Sequence, residues 1–346
     1  MSGSTADAPG GRGRVSARLR AIDGGARAKS DGAARPAMAA GDRTLRAVAA
    51  NRLDAVTAPN ALHFADDFDE LRVVYEREEG MLWYFMQPGS RPSFTIGLLQ
   101  EIRALQDGVQ RMFAEAPDDA EPNLRYLILA STMPDIFNLG GDLSLLARMV
   151  RAQDRTRLEV YAKACIDVLY PNIMALDLPL ATVSLVQGDA LGGGFEAALS
   201  SNVIIAEEHA RFGLPEVLFN LFPGMGAYSM LARKIGTVEA ERMIFSGKIY
   251  EAAELHAMGI IDILAPTGFG EDAVYEFVDK QQRRFNAHRA VYQVRRRYQQ
   301  IEYDELMDIA TIWVDAAMRL TPADLRKVDR LAKSQDRRQE QRTGKT

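Results

Sequence analysis

This chain predicts an α/β fold that ends in a helical C-terminal region, on three observations. Short runs of β-forming residues alternate with longer segments whose apolar residues recur at helical spacing, the pattern of strands joined by crossover helices. Two glycine turns, Gly140-Gly141 and Gly192-Gly193-Gly194, stand where an apolar stretch gives way to a helix-forming one. Beyond Gly236 the composition is mostly helical.

Taken in order, Leu71–Tyr75 and Met81–Met86 cluster β-formers on either side of Glu78-Glu79-Gly80, which reads as a hairpin. Ser93 is placed to cap a helix over Phe94–Ala114, where Leu98, Ile102, Leu105, Val109 and Met112 mark one face ahead of Pro117. Tyr126–Ala130 reads as a short buried strand. The Gly141 turn follows, then an amphipathic helical region from Leu143 to about Ala175, for which Asp142 serves as N-cap. Thr182–Gln187 is a strand feeding the second glycine turn, FEAALS has helix-forming composition, and Val203–Ala206 is a further apolar strand. Thr237 and Glu239–Met243 begin a helix and Ser246-Gly247-Lys248 is a turn. Further helices are expected over about Glu271–Ile301, Tyr303–Leu320 and Pro322–Gln335.

With 346 residues and 47% hydrophobic composition, the chain has ample material for one large core. Residues 1–60, rich in Ala, Gly, Arg and Asp and almost without aromatics, lack the apolar surface to order themselves and read as a disordered tail. A catalytic core over 61–265, a helical region over 266–335 and a polar tail over 336–346 complete the expected division. The Arg-rich start faintly resembles an organellar transit peptide. It has no apolar secretory core, and no run is long enough to span a bilayer, so no membrane role and a cytoplasmic location are expected.

The single cysteine, Cys165, excludes an internal disulfide and sits at a position that reads as a buried small apolar residue. His63, His209, His256 and His288 are scattered without metal-ligand spacing, so no metal is expected. A net charge of −5 argues against general nucleic-acid binding. The stretch Gln281–Tyr298 is locally basic, with Arg283, Arg284, Arg289, Arg295, Arg296 and Arg297; it reads as a solvated helical face, a subunit contact or a docking site for an acidic protein.

Chemistry concentrates between Leu185 and Gly226. Gly188 and the three glycines from Gly192 compose a strand, tight turn and helix start, whose first amides have no partner within the helix and suit an oxyanion. Glu196 follows in the first turn of that helix, and Pro215 fixes the approach to a second carboxyl, Glu216. Two carboxyls converging on an oxyanion site divide acid and base work on a substrate that passes through an enolate.

The phrases GDALGGGFEAAL, Pro215-Glu216, FPGMGA and FNLGGDL together resemble the enoyl-CoA hydratase/isomerase, or crotonase, superfamily, strongly over about Leu71–Ala265 and more loosely beyond. The resemblance implies stacked ββα units with parallel strands, an oxyanion hole from the N–H groups of Gly141 and Gly193, and C-terminal helices that close the pocket and join subunits into a homotrimer or hexamer. It also implies that Glu216 takes the C2 proton while Glu196 helps the C3 hydroxyl depart. Glutamate at both positions points to hydratase or dehydratase chemistry rather than to isomerase or dehalogenase relatives.

FNLGGDLSLL, IIAEE, GLPEVLFNLFPGMGAYS and LWYFMQP-x-x-RPSF look similar to bacterial diffusible signal factor synthases. That likeness implies dehydration of a 3-hydroxyacyl chain on acyl carrier protein, then thioester hydrolysis to a cis-2-unsaturated fatty acid used in quorum sensing. No cofactor is implied beyond the substrate's own carrier, acyl carrier protein or CoA, and a sensor kinase is a further partner. Without a GxSxG elbow, hydrolysis is expected to be water-mediated. The acyl site is expected at Leu139, Gly140, Gly192, Leu214 and Met225, with Leu143, Met149, Leu218 and Phe219 as further candidates. Two other readings stand beside this one: an acyl-CoA hydratase of fatty-acid degradation, and a non-catalytic protein that sequesters a sensor kinase or acyl carrier protein.

Overall fold

A computed structural model describes residues 68–89, 91–117 and 122–343, with side chains to 335. The expected tail over 1–60 lies outside the described residues.

The chain opens with a hairpin of β1 (Leu71–Glu76) and β2 (Met81–Met86), turning through Gly80, followed by α1 (Ile96–Ala114) and then β3 (Tyr126–Ser131) and β4 (Asp135–Asn138). Next come α2 (Leu143–Arg151) and α3 (Arg155–Ile173), then β5 (Ala181–Val186), β6 (Gly188–Leu191), α4 (Gly193–Leu199), β7 (Val203–Glu207) and β8 (Arg211–Gly213). A 3-10 turn spans Pro215–Phe219, and α5 (Ala227–Ile235), α6 (Thr237–Ser246), β9 (Ile249–Glu251), α7 (Ala252–Ala257) and β10 (Ile263–Ala265) follow. Every later element is a helix: α8 (Gly270–Gln282), α9 (Phe285–Tyr298), α10 (Tyr303–Ala317) and α11 (Pro322–Thr343).

These strands form two sheets. The larger has six strands in the order β1-β2-β3-β5-β7-β10, antiparallel at β1–β2 and parallel from β2 onward; the smaller has four, β4-β6-β8-β9, parallel except at β9. Three times in succession, at β3–β4, β5–β6 and β7–β8, the chain leaves the large sheet and enters the small one before its next helical turn. This is the repeated ββα unit.

Strand β2 explains why the large sheet lies at the centre. Leu82, Tyr84 and Met86 point into one apolar cluster, and the alternating Met81, Trp83 and Phe85 into another, so a strand buried on both faces reads as a continuous apolar run. Helices α1 and α3 cover the first face, while Val274, Phe277 and Val278 of α8 cover the second. Fully buried Trp83 stacks on Phe85 at 5.6 Å, and its truncation to Ala would cost about 3–5 kcal/mol.

Several local expectations are corrected. Thr95, not Ser93, caps α1: its hydroxyl accepts from Leu98 N at 3.0 Å, while Ser93 lies in the bend before the helix, its carbonyl accepting from Thr95 N at 2.9 Å. The region from Leu143 to Ala175 is broken at Gln153 (φ 53), and Asp154 caps the second helix. Arg283 and Arg284 likewise interrupt the long helix expected from Glu271. The last helix, expected to end at Gln335, runs on to Thr343. Asp142 does cap α2, accepting from Leu145 N at 2.9 Å. No helix among the described residues is long and apolar enough to cross a membrane.

Candidate active site

The small sheet assembles the site. Its three parallel strands β4, β6 and β8 are neighbours, with Asn138 opposite Ala190 and Ala190 opposite Phe212. Their continuations therefore emerge side by side at the C-terminal edge, where open α/β sheets bind ligands. One continuation is the Gly140-Gly141 turn, the next is Gly192-Gly193, and the third leads to Glu216.

Glycine is required where these turns meet. Gly140 has φ +91, and a Cβ there would lie 2.8 Å from Leu191 O and 3.0 Å from Gly193 N. Gly192 has φ +53, and a Cβ would fall 2.5 Å from Glu216 Oε1. Backbone strain and collision both exclude larger residues there. Gly192 N donates to Gly213 O at 2.8 Å, carrying the ladder past the strand ends. The first turn is tied by Gly140 N to Asn138 Oδ1 at 2.8 Å and by Phe94 N to Gly140 O at 2.8 Å.

Among the described residues, neither the N–H of Gly141 nor that of Gly193 donates to a protein acceptor, and both residues line one cavity. Gly193 is the first residue of α4, so its amide has no partner in the helix. The pair has the makings of an oxyanion site.

Glu196 lies in the first turn of α4 and is 1% exposed. Its Oε1 accepts from Met225 N at 2.8 Å and from Ala227 N at 2.9 Å. The FPGMGA phrase thereby acquires a purpose: Gly226, at φ +104, bends the chain so that the amides on either side of it, of Met225 and Ala227, meet the same oxygen. Glu216 sits in the 3-10 turn; although the residue is partly exposed, its Oε2 is buried and has no hydrogen-bond partner.

Burial raises both carboxyls above the ordinary range toward neutrality. For Glu196, the two backbone donors oppose that rise. For Glu216, the facing charge of Glu196 adds to it. The two titrate as a pair; two N–H donors stabilise the carboxylate form of Glu196, whereas Glu216 Oε2 has no donor.

The cavity, of about 150 Å³, is largely apolar, with Leu143, Leu146, Ala162, Phe219, Leu221 and Trp313 in its wall. Of the acyl-site residues expected from sequence, Leu139, Gly140, Gly192 and Met225 line it. Leu214 does not: it is 2% exposed and packed in the core. Met149 is likewise in the core, and Leu218 is 56% exposed because the tight 3-10 turn carries it outward.

The sequence reading missed Tyr161, Cys165 and Ala162 on α3, Trp313 on α10, and Leu331, Ser334 and Gln335 on α11. A cavity wall and a core stripe have the same helical spacing, so periodicity could not separate them. Gln335 carried a signal of its own, a polar residue at the end of an expected helix; its buried amide donates to Leu139 O at 2.9 Å and ties α11 to the first glycine turn. Burial raises the Cys165 thiol, keeping it protonated. The basic helix α9 has no residue in the cavity wall; Phe285 and Tyr292 pack it against the opposite face of the large sheet.

The profile of a protein family, enoyl-CoA hydratase/isomerase, matches residues 103–317. The mitochondrial methylglutaconyl-CoA hydratase of Mus musculus is 29% identical over 211 residues, 60% of this chain and 62% of that protein. The fatty acid oxidation complex subunit alpha of Vibrio vulnificus (strain CMCP6) is 31% identical over 183 residues, 52% of this chain and 25% of that protein. The chain thus spans 62% and 25% of the length of these relatives. Among solved structures, enoyl-CoA hydratase from Bacillus halodurans aligns with a TM-score of 0.62 at 18% identity, covering 75% of this chain and 98% of that one. Pseudomonas aeruginosa DspI aligns with a TM-score of 0.58 at 22% identity, covering 72% and 93%. These structural likenesses are likenesses of fold.

Proposed function

The chain belongs to the enoyl-CoA hydratase/isomerase family, and from that premise we propose that it removes water from a 3-hydroxyacyl thioester and then hydrolyses the thioester. The substrate is carried on acyl carrier protein, and the product is a cis-2-unsaturated fatty acid signal. The observation that carries the reading is the pairing of Glu196 and Glu216 in one apolar cavity beside two uncommitted amides. The phrase-level resemblance to diffusible signal factor synthases supports the finer substrate.

In this mechanism the thioester oxygen accepts from the Gly141 and Gly193 N–H groups. Glu216, as carboxylate, takes a C2 proton, and the electron pair moves into the enolate that those amides stabilise. The enolate collapses to a C2–C3 double bond as the C3–O bond breaks, and protonated Glu196 supplies the proton that lets the hydroxyl leave as water. In the second step, water deprotonated by a glutamate attacks the thioester carbon. The tetrahedral oxyanion occupies the same amides, and the carrier thiol departs with a proton.

Dehydration starts with the proton on Glu196, whereas the two N–H donors on Glu196 Oε1 and the lack of any on Glu216 Oε2 favour the carboxylate at Glu196. That preference suits the reverse direction, in which Glu196 activates water and Glu216 protonates C2. It is the specific observation that favours a second reading, hydration of an enoyl-CoA in fatty-acid degradation. The proposal includes assembly as a homotrimer or hexamer and restraint by a sensor kinase.

The test is mass spectrometry of products from matched 3-hydroxyacyl thioesters of acyl carrier protein and of CoA, with Glu196→Gln/Glu216→Gln as control. A free cis-2 acid from the carrier substrate, absent in the control, supports the signal-synthase reading. Reversible hydration of enoyl-CoA with no free acid replaces it with the second.

A further inference from the structure

Resting on the oxyanion site just proposed, we propose that Tyr161 is a positioning residue whose hydroxyl, wedged into the backbone ladder between Phe94 and Asp142, aims the Gly141 N–H at the substrate carbonyl.

The argument starts from an interrupted strand pairing. Leu139 N donates to Pro92 O at 2.7 Å and Phe94 N to Gly140 O at 2.8 Å, a short parallel ladder in which Phe94 faces Gly141. In a parallel ladder the next bond would run from Asp142 N to Phe94 O. The close hydrogen bonds at this step run through a hydroxyl: Asp142 N donates to Tyr161 Oη at 2.9 Å, and Tyr161 Oη donates to Phe94 O at 2.8 Å. One oxygen thus bonds both ends of a ladder step.

The wedge stands directly against the turn, since a Cβ on Gly141 would lie 3.3 Å from the Tyr161 oxygen. The Gly140–Gly141 peptide has its carbonyl on Phe94 N, so its N–H is directed to the opposite side. Tyr161 fixes the next peptide through Asp142 N. With both flanking peptides held, the Gly141 amide has one orientation. The ring is 4% exposed and lines the cavity, and burial pushes the phenol well up, so it remains a donor throughout the working pH range. Without the hydroxyl, Asp142 N and Phe94 O are left buried and unpaired until the ladder closes directly between them. That closure swings the Gly141 amide off its aim.

The experiment uses the full chain. Octanoyl-CoA carrying 13C at the carbonyl is bound to a Glu196→Gln/Glu216→Gln background, where it stays intact, and the carbonyl stretch is read by infrared difference spectroscopy with and without Tyr161→Phe. In parallel, kcat and KM for a 3-hydroxyacyl thioester are measured with Tyr161→Phe alone. We expect binding to lower the carbonyl frequency and Tyr161→Phe to reverse roughly half or more of that shift. We expect kcat to fall about 10–100-fold, with KM changed by less than about threefold. Tyr84→Phe, which removes a buried hydroxyl bonded to Asn172 at 3.3 Å and outside the cavity wall, keeps both readouts.

A merely structural role lowers the melting temperature but leaves the frequency and the kcat per folded molecule unchanged, and that result overturns the proposal. If Tyr161→Phe does not fold, 4-aminophenylalanine at position 161, which keeps a donor to Phe94 O on a ring of the same shape, takes its place with an intermediate shift expected. A shifted carbonyl in a parent protein that makes no product sinks the reaction proposed above while leaving Tyr161 to be judged by the frequency. An unshifted carbonyl in the parent overturns both.

Discussion

Glu207 and Glu216 both stand at the C-terminal ends of parallel strands, one on the large sheet and the other on the small, and both place carboxyl oxygens out of water. Glu207, 2% exposed, is saturated: Oε1 accepts from Gln187 Nε2 and Gly270 N at 2.9 Å each, and Oε2 accepts from Gly268 N at 2.6 Å, with His209 Nδ1 at 3.4 Å. Glu216 Oε2 has no partner, and its neighbours are an apolar cavity and a second carboxyl. Burial by itself therefore does not mark a carboxyl for chemistry. A saturated one holds a loop and a helix start together, whereas an unsaturated one beside an apolar cavity is available to trade a proton.

The largest expected effect separates the two directly. Glu196→Gln or Glu216→Gln lowers turnover by about 10²–10⁴-fold with an unchanged circular dichroism spectrum, while Glu207→Gln changes turnover little. Turnover near that of the parent in either of the first two variants would abolish the distinction.

A smaller loss comes from crowding the unsatisfied carboxyl. Gly192→Ala places a Cβ against Glu216 Oε1 in a backbone that disfavours it, and kcat should drop by about 10–100-fold in steady-state assays. The saturated side answers in stability instead. Glu207→Ala leaves the amides of Gly268 and Gly270 and the Gln187 side chain without their acceptor, a loss on the order of 3 kcal/mol that a shifted urea midpoint would reveal. An unmoved midpoint would mean that water replaces the carboxylate without cost.

The smallest effect is a pH dependence. The folded state raises the pKa of Glu216, so the unfolded chain ionises first. Stability from this group is complete below the unfolded pKa and is lost as pH rises through the folded one. Glu216→Gln cannot ionise and should gain melting temperature over the parent as pH rises from about 5 to about 9, by on the order of 2–4 °C. Parallel melting curves across that range would show that the proton lies elsewhere.

Much of this was legible before any coordinates. The Asp142 cap and the strands from Met81 and Tyr126 follow from local rules, because their signals are carried by adjacent residues; both glutamates and both glycine turns stand out through the family phrases that contain them. The strands Asp135–Asn138, Gly188–Leu191 and Arg211–Gly213 were not read as strands, since so few residues establish no periodicity. They nevertheless form the sheet that brings Gly141, Gly193 and Glu216 to one edge.

Leu214 stands two residues from Glu216 in sequence, yet it packs in the core while Glu216 lines the cavity. Residue types and backbone freedom at the two glutamates and the glycine turns are settled by neighbours along the chain. The cavity wall, the two amides that hold Glu196, the unpartnered oxygen of Glu216 and the Tyr161 wedge all depend on contacts between segments far apart in sequence. Such contacts exist only after packing has brought the segments together, and no local spacing encodes them.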